Sequence, residues 1–192
     1  MENQKIAARL PKSLPTLGSG QGDTWFDPIL SAWRSANIVS VFGVGGTGPS
    51  CGTVGSPGDS PMVIGVGAIT SGDVLASSSS VGPSSGGNLK PDITAPGNQI
   101  RSAWADTDTA YVTLSGTSMA APHVAGVAAL LRASKPDSTN DEVKEWLTGN
   151  ADTDLQDLEA ECGGIPSTQF PNNHYGHGSV NARRALEAAI NA

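Results

Sequence analysis

Residues 114–126 read LSGTSMAAPHVAG and continue into VAALLRA, and this stretch decides both the fold and the chemistry that we expect. Small and apolar residues dominate it, which predicts a buried helix from Ser118 to about Ser134. The first N–H groups of a helix have no partner inside the helix and carry a partial positive charge. A serine there is either an ordinary helix cap or a nucleophile placed beside a developing oxyanion.

Helical and strand patterns alternate along the rest of the chain. Apolar residues recur every four positions in residues 23–37, which predicts an amphipathic helix, and Thr139 with Glu142 forms a capping box for another helix. Buried strands alternating with helices indicate an α/β fold with a largely parallel central sheet flanked by helices. The expected strands are residues 37–46, 62–69, 92–97, 99–104 and 111–116, and a last helix is expected over residues 181–191.

Length and charge limit the classes of protein and partner. The 192 residues are enough for one domain with a real core, and the net charge of −7 argues against nucleic acid or an anionic membrane as a partner. No apolar run approaches the ~18 to 20 residues of a membrane span, and no signal peptide is visible at the N-terminus. We expect a monomer with neither a nucleic-acid nor a membrane partner.

Several stretches of the chain resemble one family of enzymes. GTSMAAPHVAGVAALL resembles the active-serine signature of the subtilisin-like serine proteases. FGVGGTGPSCGTVGSPGDSPMVIGVGAI is similar to the family's oxyanion-loop strand and the strand after it, and LKPDITAPGNQIRSAW and FPNNHYGHGSVNARRAL match in kind and order. We therefore interpret residues 16–192 as the C-terminal portion of a subtilisin-like peptidase domain, with an incomplete sheet, and residues 1–15 as an unmatched leader.

The resemblance implies a serine-type endopeptidase that is secreted and hydrolyses peptide bonds through an acyl-enzyme. It needs no cofactor for this chemistry, and structural calcium, held largely by carbonyl groups in this family, is possible but unassigned. Protein or peptide would be the substrate, and a roomy pocket base at Gly55 favours a large apolar or aromatic residue. The implied site residues are Ser118 as the nucleophile and Leu17, Gly18, Gly43, Val44, Gly45 and Gly55 as substrate-binding positions.

The general base that a nucleophilic serine needs is missing from the expected place. The family supplies an aspartate and a histidine before the serine, but residues 1–117 contain no histidine. His123 lies on the serine's own helix and points to another face. His174 and His177 could pair with Asp152 or Asp154 in the manner of an α/β-hydrolase, or bind a metal, but we expect both to be solvated loop histidines. No metal site is assigned, and the chain alone is expected to be inactive.

The oxyanion position also departs from the family. Where the family has Ala-Ala-Gly-Asn, this chain has Gly43-Val44-Gly45-Gly46, so Gly46 replaces the side-chain amide that would stabilise the tetrahedral intermediate. Two alternatives to a truncated enzyme therefore stay open. The chain could be a non-catalytic protein that binds peptides, or a half-domain that needs a complementing chain to supply the aspartate and histidine.

The two cysteines, Cys51 and Cys162, allow only one pairing. Their spacing alone does not distinguish a disulfide from two buried thiols. Thiols are expected in a cytosolic protein, and a bridge is expected only in a secreted one. Such a bridge would tie together two surface loops.

Overall fold

The computed structural model of the chain describes residues 20–192 and the backbone of one further strand, Ile6–Ala7. The first helix, α1 (Asp27–Ser35), follows a single 3-10 turn at Thr24–Phe26. The Asp23 side chain accepts a hydrogen bond from the N–H of Trp25, which caps this turn. A proline lies at the start of α1, where the missing N–H costs least.

The central sheet is parallel, as the alternation of strands and helices predicts. Its strands are β1 (Ile6–Ala7), β2 (Val39–Gly43), β3 (Ile64–Ile69) and β4 (Ile93–Pro96), and they lie in the order β1-β2-β3-β4. All three strand pairs are parallel. Strand β1 lies within residues 1–15, the unmatched leader, and pairs with β2.

Three further helices follow the sheet: α2 (Thr117–Ser134), α3 (Asn140–Gly149) and α4 (Ala182–Asn191). Helix α2 packs on β2, β3 and β4, and both α3 and α4 pack on α2. Alanines and valines of α2 are fully buried against the sheet, which explains why the helix is apolar around most of its surface. The Thr139 hydroxyl accepts from the N–H of Glu142, whose carboxylate accepts from the N–H of Thr139, so the predicted capping box is confirmed.

Two short antiparallel pairs complete the described part of the chain. Strands β5 (Ile100–Ala103) and β6 (Tyr111–Leu114) form one, and β7 (Glu161–Cys162) and β8 (Ile165–Pro166) form the other. A second, smaller core lies beneath β7. Its buried members are Ile69, Leu75, Val81, Cys162 and Tyr175.

Cys51 and Cys162 form a disulfide, with 5.5 Å between their Cα atoms. Of the two alternatives that the sequence leaves open, the structure has the disulfide and not two free thiols. Our expectation that the bridge ties two surface loops is only half right. Cys51 is exposed, but Cys162 is 3% exposed because it belongs to the second core.

A buried ion cluster holds the start of β4. Asp92 accepts hydrogen bonds from Lys90 Nζ and Lys144 Nζ, each at 2.6 Å, and from the N–H of Gly65 at 2.7 Å. Lys90 is 1% exposed, and its ammonium group also donates to the carbonyl of Val63. Burial acts to raise the pKa of Asp92, but the positive charges of Lys90 and Lys144 outweigh it and hold the pKa below its ordinary value.

Among residues 20–192, no helix is long and apolar enough to cross a membrane.

The Asp92→Asn variant should lose about 3 to 5 kcal/mol of unfolding free energy at pH 7, because it leaves the buried Lys90 ammonium without its counter-charge. Since the pKa of Asp92 is depressed in the folded state, its carboxylate contributes stability above the pKa of the unfolded chain, near 4. That contribution is lost as the pH falls through the lower folded pKa. Urea unfolding between pH 7 and pH 3 measures both effects, and the variant should lose less stability than the unaltered chain over the acid range.

The matched control is Asp141→Asn, which makes the same change in an exposed ion pair with Arg34. Exposed pairs contribute about 0 to 1 kcal/mol, so this variant should unfold nearly as the unaltered chain does. Equal losses in the two variants would show that the buried cluster has no special role in stability.

Candidate active site

Ser118 is the second residue of α2 and is exposed to solvent. The residue before the helix is Gly116, whose φ of 144° lies in the region that favours glycine. Its N–H donates to the carbonyl of Gly97 at 2.7 Å, which ties the helix start to the end of β4. The helix thus begins one residue earlier than predicted, with Ser118 in its first turn as expected.

A proline inside α2 removes one of the hydrogen bonds that would join the first turn to the rest of the helix. Pro122 lies four residues after Ser118 and has no N–H. The Ser118 carbonyl therefore receives no hydrogen bond from the position that would bond it in a regular helix. The first turn is joined to the rest of α2 by fewer hydrogen bonds than an uninterrupted helix would make.

The end of β2 lies directly against the serine turn. The Thr117 hydroxyl donates to the carbonyl of Gly45 at 3.2 Å and accepts from the N–H of Gly45 at 3.3 Å. A Cβ atom at Gly43 would lie 2.7 Å from Thr117 Oγ1, so only glycine allows this approach. The structure therefore brings residues 43–46, called here the oxyanion segment, and the predicted nucleophile together through Thr117. Thr117 is not among the residues that the sequence singles out.

The two glycines that end the oxyanion segment have different surroundings. Gly45 has a φ of +113°, and a Cβ atom there would lie 2.9 Å from Ser80 Oγ, so the position requires glycine. Gly46 is exposed, its φ lies outside the region that favours glycine, and an added Cβ atom would meet nothing within 4 Å. The backbone at Gly46 would therefore accept a side chain, and space alone does not explain why the family's asparagine is absent.

The remaining predicted pocket residues lie on the same segment or bond to it. Val44 has a fully buried side chain, so it can offer a substrate only its backbone. Its N–H donates to the carbonyl of Val66, and its carbonyl accepts from the N–H of Gly55 at 2.8 Å. Gly55 is half-buried beside it. Leu17 and Gly18, the other two predicted substrate-binding residues, lie outside the described residues.

None of the three histidines is hydrogen-bonded to Ser118 in the described part of the chain. Nδ1 of His123 lies 2.9 Å from the carbonyl of Met119, one turn earlier in α2. His177 is half-buried, and its backbone N–H donates to the carbonyl of Asp92. Burial lowers the pKa of His177 below its ordinary value.

The expectation that His174 is a solvated loop residue is wrong. The residue is 3% exposed, and its Nε2 lies 3.4 Å from Cys162 Sγ. The cause is a tight turn in which the Asn172 side chain accepts from the N–H groups of His174 and Tyr175, at 2.9 and 2.8 Å. This turn folds inward against the second core.

Carboxylates and histidines do not gather into a metal site in the described ranges: no group of three or more His, Cys, Asp or Glu side chains is placed to hold an ion. The side chains present do not fit a calcium site built from carboxylates. A calcium site built from carbonyl groups stays a prediction, and we derive no step of the chemistry from one.

Comparison with known proteins gives a consistent assignment. The sequence profile described as "Subtilase family" matches residues 16–178. Bacillopeptidase F from Bacillus subtilis (strain 168) is 39% identical over 178 residues, which cover 89% of this chain and 12% of that protein. Serine protease AprX from the same organism is 38% identical over 185 residues, which cover 86% of this chain and 39% of that protein.

Among solved structures, sphericase superposes with a TM-score of 0.72 at 28% identity, covering 86% of this chain and 55% of that chain. The chain thus spans about two fifths or less of the two curated relatives and about half of sphericase. The matched region includes the Ser118 turn, the end of β2 and the loop that carries Gly55. The chain belongs to the subtilase family, which the active-serine signature had indicated.

Proposed function

We propose that this chain is the serine-bearing portion of a serine-type endopeptidase, with Ser118 as the nucleophile. The observation that carries the proposal is the exposed serine in the first turn of α2, held beside the end of β2 by the Thr117–Gly45 hydrogen bonds. Subtilase membership supports peptidase chemistry in general. Which residues perform it in this chain is our inference.

In the proposed reaction, the general base takes the proton of the Ser118 hydroxyl as Oγ attacks the carbonyl carbon of a peptide bond. The carbonyl oxygen becomes an oxyanion, and the N–H of Ser118 at the helix start donates to it. Collapse of the tetrahedral intermediate expels the amine, to which the base returns that proton, and leaves an acyl group on Ser118. Water, deprotonated by the same base, then removes the acyl group. The backbone of residues 43–45 and of Gly55 would form the wall along which the substrate side chain lies.

We infer that the general base comes from a polypeptide segment other than residues 1–192. A base must lie about 2.6 to 3.2 Å from the serine hydroxyl. None of the three histidines is hydrogen-bonded to Ser118 in the described part of the chain. His123 is bonded to its own helix, His174 is buried against the disulfide, and His177 is half-buried with its backbone N–H bonded to Asp92. We infer that an aspartate and a histidine are supplied either by the same longer polypeptide or by a second chain.

We further propose a protein or peptide substrate with a large apolar side chain, an extracellular location and a monomeric state. The Cys51–Cys162 disulfide supports the location, since disulfides persist mainly in oxidising compartments. The net charge of −7 supports the absence of nucleic acid and membrane partners.

A second candidate function is peptide binding without catalysis. Gly46 favours it, because that position lacks the amide donor of active relatives although its surroundings leave room for one. In a subtilisin, loss of the side-chain amide from the oxyanion hole costs about 3 to 4 kcal/mol of transition-state stabilisation. The two functions differ in whether Ser118 becomes reactive when a base is supplied.

The chain alone should react only slowly with a serine-directed fluorophosphonate, because an unassisted hydroxyl stays protonated and is a poor nucleophile. Joined to a subtilase segment that carries the aspartate and histidine motifs, it should label rapidly at Ser118. Mass spectrometry of the labelled peptide measures both rates. Ser118→Ala should abolish labelling in the joined form, and rapid labelling of the chain alone would show that it already contains a base.

In the joined form, Gly46→Asn should raise kcat/KM for peptide hydrolysis by about 100-fold or more, as expected for restoring one oxyanion donor. Gly46→Ala is the matched control, since it adds a side chain in the same open space without an amide. It should leave kcat/KM nearly unchanged. Full activity of the Gly46 form would mean that another donor already fills this role, whereas activity only in the asparagine form would favour the peptide-binding function.

A further inference from the structure

We propose that Cys51 is a site of S-thiolation, at which a small thiol opens the Cys51–Cys162 disulfide with Cys162 as the leaving group and His174 as the hydrogen-bond donor to it. The proposal is independent of the proposed peptidase function. It depends on the surroundings of the disulfide in the second core and not on Ser118.

The two cysteine residues of the disulfide differ in exposure. Cys51 lies in an exposed loop, and its neighbour Gly52 is exposed as well. Cys162 is 3% exposed and packs among the residues of the second core. Because thiol–disulfide exchange requires a thiolate to reach the sulfur that it attacks, attack occurs at Cys51. Cys162 is then the sulfur that departs.

The departing sulfur has a nitrogen donor beside it. Nε2 of His174 lies 3.4 Å from Cys162 Sγ, whereas Nδ1 is buried and has no hydrogen-bond partner among the described residues. Burial lowers the pKa of His174, so its ring is neutral and carries one proton. We assign that proton to Nε2, where sulfur can accept it, because at Nδ1 it would have no acceptor.

The backbone that carries the ring is also held in position. The backbone N–H of His174 donates to the Asn172 side chain, which is itself fully buried and donates to the carbonyl of Ser167. Because Nε2 already lies 3.4 Å from Cys162 Sγ, the donor is in place when charge develops on that sulfur. A hydrogen bond to a thiolate lowers the pKa of that thiol, and a leaving thiol of lower pKa departs faster.

In the exchange, one S–S bond forms as another breaks. A small thiol loses its proton to solvent, and its thiolate forms a new S–S bond with Cys51 Sγ. The Cys51–Cys162 bond breaks, its electron pair stays on Cys162 Sγ, and the resulting thiolate accepts the Nε2–H hydrogen bond before it takes a proton from solvent. One thiol and one disulfide thus become one mixed disulfide and one thiol, and a second small thiol would release Cys51 as a free thiol.

The loop around Cys51 retains other attachments after the exchange. The N–H of Gly52 donates to the carbonyl of Gly82 at 3.0 Å, and the N–H of Thr53 donates to the carbonyl of Val81 at 2.8 Å. These bonds hold the loop against the second core independently of the disulfide. We therefore expect the thiolated chain to stay folded, with the added group on the exposed loop.

The test is to incubate the folded chain with excess reduced glutathione, quench with acid and map the mixed disulfide by peptide mass spectrometry. Only Cys51 and Cys162 can react, since the chain has no other cysteine. Glutathione should be found on Cys51 in at least tenfold excess over Cys162. The same chain unfolded in urea is the control, and there the two cysteines should react about equally. Adducts mainly on Cys162 of the folded chain, an equal distribution or no adduct at all would overturn the proposal.

Variants test the contribution of His174. His174→Phe keeps the volume but removes the donor, and should slow adduct formation by about tenfold or more, as expected for the loss of a hydrogen bond to a charged sulfur. His174→Gln supplies an amide donor and should recover part of the rate. His123→Gln, a change at an exposed histidine remote in sequence from both cysteines, is the matched control and should have no effect. A folded phenylalanine variant that reacts as fast as the unaltered chain would overturn the role of His174. If that variant does not fold, the position of the glutathione adduct in the unaltered chain remains the test of the proposal.

Discussion

The hydrogen bonds between the Thr117 side chain and the backbone of Gly45 hold the end of β2 against the first turn of α2. They connect the sheet, which fixes the oxyanion segment, to the helix, which fixes the serine. Thr117 is 5% exposed, so these bonds are shielded from competing water. A larger residue at Gly43 would push the two elements apart, because its Cβ atom would meet Thr117 at 2.7 Å. The relation between Ser118 and residues 43–46 therefore depends on one threonine and one glycine.

Most of the fold was predictable because its elements have strong local signals. The apolar run of α2, the alternation of buried strands and the Thr139–Glu142 capping box each depend on residues close together in the sequence. The position of Ser118 was predictable for the same reason. The role of Thr117 was not, because it depends on contact with Gly45, 72 residues away, and no local pattern reveals that contact.

The surroundings of His174 were also unpredictable, and for a related reason. A histidine in an Asn-Asn-His-Tyr stretch looks like part of a polar surface loop. Here the first asparagine uses its side chain to satisfy backbone N–H groups, which lets the polar turn enter the core at little cost. The disulfide was ambiguous because pairing depends on the distance in space between two cysteines that are far apart in the sequence, and sequence spacing does not report that distance.

The two adjacent glycines of the oxyanion segment differ in whether the backbone requires a glycine at that position. Gly45 is fixed by its backbone angle and by Ser80, whereas Gly46 is constrained by neither. A sequence comparison treats the pair alike, yet only the first is required by the fold. Backbone geometry therefore does not explain why position 46 carries a glycine.

Pro122 has a consequence for motion at the serine. Because it withholds the hydrogen bond that would tie the Ser118 carbonyl to the next turn, the first turn of α2 is joined less firmly to the long buried body of the helix. Fluctuations of Ser118 should therefore follow those of β2, to which Thr117 joins it, more closely than those of the helix that contains it. The Thr117–Gly45 hydrogen bonds should then preserve the spacing between the nucleophile and the oxyanion segment even when the helix behind them shifts.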